Sequence, residues 1–251
     1  MPARRRLLLA SLALLPYGAL AQGTQGLTVS AAASLTEAFK EIGARFDAGR
    51  GSTTRLNFAA SGVLIAQIAQ GAPVDVFVSA DAETVDRGMK DKLLDPATRR
   101  DFATNSLVLI APADSAAALT GMADLTGPGV RRIAVGKPAS VPVGRYTRQA
   151  LEAAGLWARV EARIVYADSV RQALDYVARG EAEAGFVYRT DAQLANGKVR
   201  IVASVGGHAP VCYPAAVVQD SRQPAAARAF VDYLLGPEAQ AILARHGFGK
   251  P

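Results

Sequence analysis

The sequence predicts an α/β fold made of two doubly wound α/β lobes joined by two crossings of the chain. Three observations predict it. Strand-like and helix-like runs alternate from residue 27 to residue 246, which is the pattern of parallel sheets covered by helices. The alternation stops once, at a long apolar stretch over 105–112 followed by a Gly/Pro-rich connector, and then starts again. One strand and two helices are left over at the C-terminus, and their return to the first lobe supplies the second crossing. A single doubly wound domain is the competing reading, and 251 residues suffice for either.

The N-terminus is set aside first. Arg4-Arg5-Arg6 is a basic segment, Leu7 to Leu15 is apolar, and Ala19-Leu20-Ala21 has the small-x-small form of a cleavage site. Residues 1–21 are expected to be a cleaved signal peptide, with export to the periplasm and a mature chain starting near Gln22. The apolar run is shorter than the roughly 20 residues of a membrane span. An uncleaved interfacial anchor is the alternative.

The mature elements follow from periodicity. Leu27–Ala32 reads as a strand, and Leu35, Phe39, Ile42 and Phe46 recur at helical spacing until Gly49 to Gly51. Thr53–Phe58 alternates as a strand. Val63, Leu64 and Ile68 mark a helix closed by Gly71, and Val74–Val78 is the next strand. Ser79-Ala80-Asp81 then caps a helix reaching Met89. Beyond the break, Arg132–Val135, Ala162–Tyr166, Ala184–Tyr188 and Val199–Val205 read as strands. Helices are expected over Gly144–Ala154 and from Val170 to Gly180. Tyr213–Val218 is the returning strand, followed by helices over Ala225–Leu234 and Pro237 to His246. Lobe 1 is thus expected over 26–107 plus 208–251 and lobe 2 over 108–207, with hinge crossings near Leu107–Ile110 and Cys212–Val217.

Composition excludes several functions. Without the three leader arginines, 25 basic residues face 22 acidic ones, a surplus of three. No basic cluster with interleaved aromatics is present, so nucleic acid is not an expected partner. The single cysteine, Cys212, lies in an apolar run and reads as a small buried hydrophobe rather than a reactive thiol. Neither His208 nor His246 sits in a metal-spacing motif. There is no G-x-S-x-G elbow, no Walker A sequence and no G-x-G-x-x-G between a strand and a helix. No enzyme activity and no cofactor are expected. An exported serine hydrolase using Ser34 or Ser61 would need His208 or His246 beside the serine.

Four strand-to-helix junctions carry small or polar residues: Ser34 after Ala31–Ala33, Ser61-Gly62 after Phe58-Ala59-Ala60, Val141–Gly144, and Asp168-Ser169-Val170. Backbone N–H groups at a helix start lack partners and sit at the positive end of the helix dipole. Several such ends brought together in an interlobe cleft would hold an anion through hydrogen bonds rather than a salt bridge. Serine adds a compact donor, and Tyr188 at the end of its strand could add a phenolic one. Taken singly, each serine reads as an N-cap and Tyr188 as core; only the set of them points to a ligand. Asp81 reads as a cap and Asp75 as structural. Ser34-x-x-Glu37 matches a capping box. An anion and the Glu37 carboxylate cannot share the Ser34 N–H, so Glu37 is expected to point away. The Ser34 hydroxyl is then expected to donate to the ligand while a lone pair caps the helix.

The chain resembles the periplasmic molybdate-binding proteins of ABC-type importers, class II solute-binding proteins, from about Leu27 to Phe248. The stretches that carry the resemblance are Ala31–Thr36, Phe58–Ser61, Gly71–Asp81, Asn105–Val108, Val141–Gly144 and Gly185–Tyr188. It implies the type II periplasmic binding protein fold. It further implies an oxyanion held by Ser34, Ser61, the backbone amides of Val143 and Val170, and the Tyr188 hydroxyl, with the metal reached only through its oxygens. The family often has alanine where Val143 stands. Arg145 and Arg171 are taken as field contributors or surface residues, not ligands. The implied ligands are molybdate and tungstate, and the implied partner is a membrane permease, ATP being hydrolysed by another subunit. A monomer that closes about its hinge is expected. Receptors for sulfate, thiosulfate or an organic carboxylate are the alternatives, the last with an arginine clamp.

Overall fold

A computed structural model describes residues 26–115 and 118–251. The expected signal peptide lies outside the described residues. The first block of elements is β1 (Leu27–Ala32), α1 (Thr36–Ala48), β2 (Thr54–Ala59), α2 (Ser61–Ala69), β3 (Val76–Val78) and α3 (Ala82–Lys90). Next come β4 (Arg100–Asn105), β5 (Leu107–Pro112), β6 (Ile133–Gly136), α4 (Pro142–Ala153) and α5 (Trp157–Val160). They are followed by β7 (Ile164–Ala167), α6 (Val170–Ala178), β8 (Ala184–Tyr188), α7 (Arg189–Leu194) and β9 (Val199–Ser204). The chain ends with β10 (Val211–Val217), α8 (Pro224–Leu234) and α9 (Pro237–Arg245).

These strands form two five-stranded sheets, ordered β2-β1-β3-β10-β4 and β7-β6-β8-β5-β9. The two-lobe α/β fold expected from the alternation is therefore present. Both sheets have the same plan. Three parallel strands come first, then one antiparallel strand, then an edge strand. The antiparallel strand is in each case the one that has just crossed from the other lobe. β5 enters lobe 2 and β10 returns to lobe 1, so the sheets are mixed rather than wholly parallel.

The crossings differ from the expected positions. All six residues of β5 are buried, and Leu107 already pairs with Tyr188 in the second sheet. Cys212–Val217 lies inside β10, which pairs with β4 over 211–215 and with β3 over 215–217. A buried strand needs ladder partners along both edges, so it cannot serve as a hinge. The chain changes lobes instead at Ser106, between β4 and β5, and over 205–210, between β9 and β10. His208 and Ala209 still pack on lobe 2, through the Tyr146 ring and the Gln149 side chain. The stretch 105–112 is thus the end of one strand and the whole of another. β4 itself is too polar and too half-buried to stand out in the sequence. It is an edge strand, where one solvated side is tolerated.

Two helical faces fill the lobe 1 core. Phe39 and Phe46 of α1 meet Phe230 of α8, with ring centroids 6.1 and 5.0 Å apart. Phe39 also meets Phe102, whose ring stands 6.4 Å from Tyr213. This cluster fixes α1, and with it the Ser34 end of the helix, against the sheet. Cys212, expected to be buried, is only partly so, because β10 turns that residue toward the surface.

Candidate functional site

The strand ends of both lobes face one small cavity of about 10 Å³. Ser34, Ser61, Val143, Val170 and Tyr188 all line it. All five are buried. Alanines at 32, 33, 59, 60 and 80 make up much of the remaining wall on the lobe 1 side. Small side chains there leave the space open, and among the described residues none that lines it carries a charge.

The helix starts explain the backbone donors. α4 opens with Pro142, which has no N–H, so Val143 supplies the first amide without a helical acceptor. Val170 is the first residue of α6, behind Ser169, whose hydroxyl accepts the Gln172 N–H at 3.2 Å. Ser169 is therefore the cap, and the Val170 amide is left for the cavity. Gly144 lets α4 approach β6, since a Cβ there would stand 1.9 Å from the Gly136 carbonyl oxygen.

The serines do not cap their helices. Ser61 Oγ accepts the Ala80 N–H at 3.1 Å. Ser34 Oγ lies 3.1 Å from the Tyr213 hydroxyl, which in turn accepts from Asn105 Nδ2 at 3.2 Å. The expected lone-pair cap at Ser34 is absent from the helix, and Tyr213 fills that role instead. Tyr188 donates to the Ala80 carbonyl at 3.4 Å, a long bond that an anion could displace. Burial, with neighbouring phenols adding to it, holds the Tyr188 hydroxyl well above its ordinary pKa. Burial does the same for Tyr213. Both phenols are thus neutral proton donors.

Glu37 points away from the Ser34 amide, as the anion argument requires. It pairs with Arg171 Nη2 at 2.5 Å. Arg171 also reaches the Ser34 carbonyl at 3.4 Å and, through Nε, the Asp191 carboxylate at 2.8 Å. On the other side of the cavity Arg145 meets Asp81 at 2.5 Å and Thr84 Oγ1 at 2.7 Å. The two arginines come from lobe 2, and Glu37, Asp81 and Thr84 come from lobe 1. Arg145, 11% exposed in its side chain, is not a surface group, and Arg171 is partly buried; each pairs with a carboxylate of lobe 1. They are cross-lobe ties, one on each flank of the cavity. The sequence placed each arginine in the first turn of its helix but carried no sign of its long-range partner. With both guanidiniums occupied by carboxylates, an arginine clamp for an organic carboxylate is not formed.

The remaining expectations concern carboxylates and histidines. Asp81 caps α3 through the Thr84 N–H as well as holding Arg145. Asp75 is structural, accepting from the Thr28 N–H and the Ser221 hydroxyl at 2.8 and 2.7 Å. His208 faces the carbonyls of Ala209 and Val205, and His246 faces Glu41. Neither ring is hydrogen-bonded to Ser34 or Ser61, so the Ser–His pair of a hydrolase is not assembled. Among the described residues no group of three or more His, Cys, Asp or Glu could hold a metal ion, and no helix is long and apolar enough to cross a membrane.

Two α/β lobes that enclose an uncharged, donor-rich cavity at their interface define a ligand receptor of the two-lobed binding-protein class. Residues 27–249 match the model of the bacterial extracellular solute-binding protein family, and the chain belongs to that family. It is 40% identical over 230 residues to the molybdate-binding protein of Escherichia coli, with 88% of each chain covered. It is 38% identical to that of Mycobacterium tuberculosis, over 92% of this chain and 87% of the relative. The solved periplasmic molybdate-binding protein of Azotobacter vinelandii superposes with a TM-score of 0.79 at 28% identity, covering 90% of this chain and 99% of that one.

Proposed function

We propose that this protein is the extracytoplasmic receptor of an ABC-type importer, taking molybdate, and tungstate with it, into the interlobe cavity and presenting it to a membrane permease. One observation carries the reading. Ser61 Oγ accepts the Ala80 N–H and Ser34 Oγ shares a hydrogen bond with the Tyr213 hydroxyl, so both serines have donor capacity to offer the cavity, where they join two helix-start amides and the Tyr188 phenol. A site of donors alone suits a ligand whose whole surface is acceptors, which is a fully deprotonated tetrahedral oxyanion. The similarity to molybdate-binding relatives favours molybdate within that class, and tungstate, of like charge and shape, is expected with it. The signal-like N-terminus supports export with cleavage near Gln22.

The lobes divide the work. Lobe 1 offers Ser34 and Ser61. Lobe 2 brings Val143 and Val170, with their helix dipoles, and Tyr188. Burying an anion removes its hydration, and only the closed arrangement replaces the lost hydrogen bonds from both sides. The Arg145–Asp81 and Arg171–Glu37 ties form in the same arrangement, so closure and ligand capture support each other. The closed monomer is the form the permease would recognise.

Calorimetric titration of the purified chain with molybdate, tungstate, sulfate and phosphate tests the assignment. Saturable binding of molybdate and tungstate, well ahead of sulfate and phosphate, is expected. Tight sulfate binding without molybdate heat would overturn the ligand and leave the fold intact.

A further inference from the structure

We propose that Asn105 and Tyr213, neither of which lines the cavity, are positioning residues that set the polarity of the Ser34 hydroxyl and tie it to the interlobe crossing. The proposal rests on the oxyanion-receptor reading and deepens it.

The polarity follows from hydrogen bonds taken in order. Asn105 Oδ1 accepts the Ser106 N–H at 2.8 Å, which fixes the orientation of the amide. Its Nδ2 must then present both protons outward, to Thr190 Oγ1 at 2.9 Å and to the Tyr213 oxygen at 3.2 Å. The phenol has one proton, and its oxygen is engaged as an acceptor. That proton therefore goes to Ser34 Oγ, 3.1 Å away. Ser34 has one proton of its own, and with its oxygen accepting from Tyr213 it directs that proton into the cavity. Tyr213 is fully buried and packed edge-on against Tyr188 and Phe248, at 6.0 and 5.3 Å. Packing fixes the ring, and burial keeps the phenol protonated.

The amide that starts this chain sits where the polypeptide passes between lobes. Asn105 ends β4 and precedes Ser106. Its two donor bonds go one to each lobe, to Thr190 of α7 and to Tyr213 of β10. Separating the lobes at this crossing strains the Thr190 bond and leaves the amide that orders Tyr213 held with one tie fewer. The serine is thus most firmly a donor in the closed arrangement, where the ligand is held. Ser61 needs no such device, because a backbone amide, that of Ala80, fills its lone pair.

A double-mutant cycle on molybdate affinity tests the proposal. Tyr213→Phe keeps the ring and its packing and removes only the hydroxyl. It is expected to weaken molybdate binding about 10-fold, within the range of one hydrogen bond to an anion. Asn105→Ala, which leaves the phenol present but unordered, is expected to weaken it by less. In a Ser34→Ala background both effects should vanish, since the relay then has nothing to orient. A purely structural role would give equal losses in both backgrounds, and that additivity would overturn the proposal. So would a Tyr213→Phe protein binding molybdate as tightly as the wild type. If the wild type binds none of the four oxyanions of the titration panel, the receptor reading fails, and this proposal falls with it. Additivity with an intact wild-type affinity refutes the relay alone.

Discussion

Gly62→Ala should separate closure from folding. Gly62 is the second residue of α2, and its N–H donates across the lobes to the Ser140 carbonyl at 3.0 Å. A Cβ at this position would stand 2.5 Å from that carbonyl oxygen and 2.8 Å from the Ser140 Cα. Ordinary contact begins near 3.4 Å, so Ser140 would have to retreat by 0.9 Å. The obstacle is backbone, not the end of a flexible side chain. Overpacking of this kind costs about 1–3 kcal/mol, and loss of the cross-lobe hydrogen bond costs about 1 kcal/mol more. Together they amount to about 2–4 kcal/mol against the closed form alone, which weakens ligand binding roughly 30- to 700-fold. Folding should move the other way. Gly62 is not in the left-handed region, and alanine is favoured over glycine in a helix by up to about 1 kcal/mol. The expected result is an unliganded melting temperature equal to or above that of the wild type, with molybdate affinity, read by calorimetry, lowered at least tenfold. Wild-type affinity in the variant would refute the contact. An equal fall in stability and affinity would refute the assignment of its cost to closure.

Two further perturbations address the ties between lobes. Arg145→Met should leave the Asp81 carboxylate, 4% exposed in its side chain, without its cation in the closed form. Unpaired buried charge of this sort costs about 3–5 kcal/mol, and the loss should appear as weaker molybdate binding and a smaller ligand-induced rise in melting temperature. Asp191 gives a pH signature. Burial pushes its carboxyl up to about 7, opposed by Arg171, with Glu37 adding to the rise. The folded value lies above the unfolded one, so the folded state holds the extra proton between about pH 4 and 7. The stabilising share of this group is complete below the unfolded pKa and is lost as pH rises through 7. Urea unfolding of wild type and Asp191→Asn from pH 4 to 8 should show the wild type losing stability relative to the variant over that window. A constant difference would remove Asp191 from the pH dependence.

The parts legible in the sequence share one property, which is local origin. The junctions at Ser34, Ser61, Val143 and Val170 follow from a strand ending, small residues and a helix beginning, all within a few positions. Tyr188 follows from the end of a strand in the same register. Parallel sheets put such junctions on one edge, so two lobes facing each other bring them together without further information. What was missed is long-range. β4 is a polar edge strand whose identity depends on β10, more than 100 residues later. Tyr213 reads as core from its neighbours, and only the fold brings its hydroxyl to Ser34, 179 residues away in the chain. Arg145 and Arg171 show their helix positions but not the acids 64 and 134 residues back that they meet.

That division has a mechanistic reason. Ligand-facing donors must be present before closure, so each can be built by a single junction within its own lobe. The groups that stabilise closure exist only as pairs across the gap, and neither half carries a local signature. Glu37 shows how the two levels interact. Locally it completes a capping box with Ser34, and in an isolated helix it would take the Ser34 amide. Arg171 from the other lobe draws it away instead, at 2.5 Å. The arrangement that brings the Val143 and Val170 amides to the cavity therefore also pairs the acidic charge in the first turn of α1 with a cation from the other lobe.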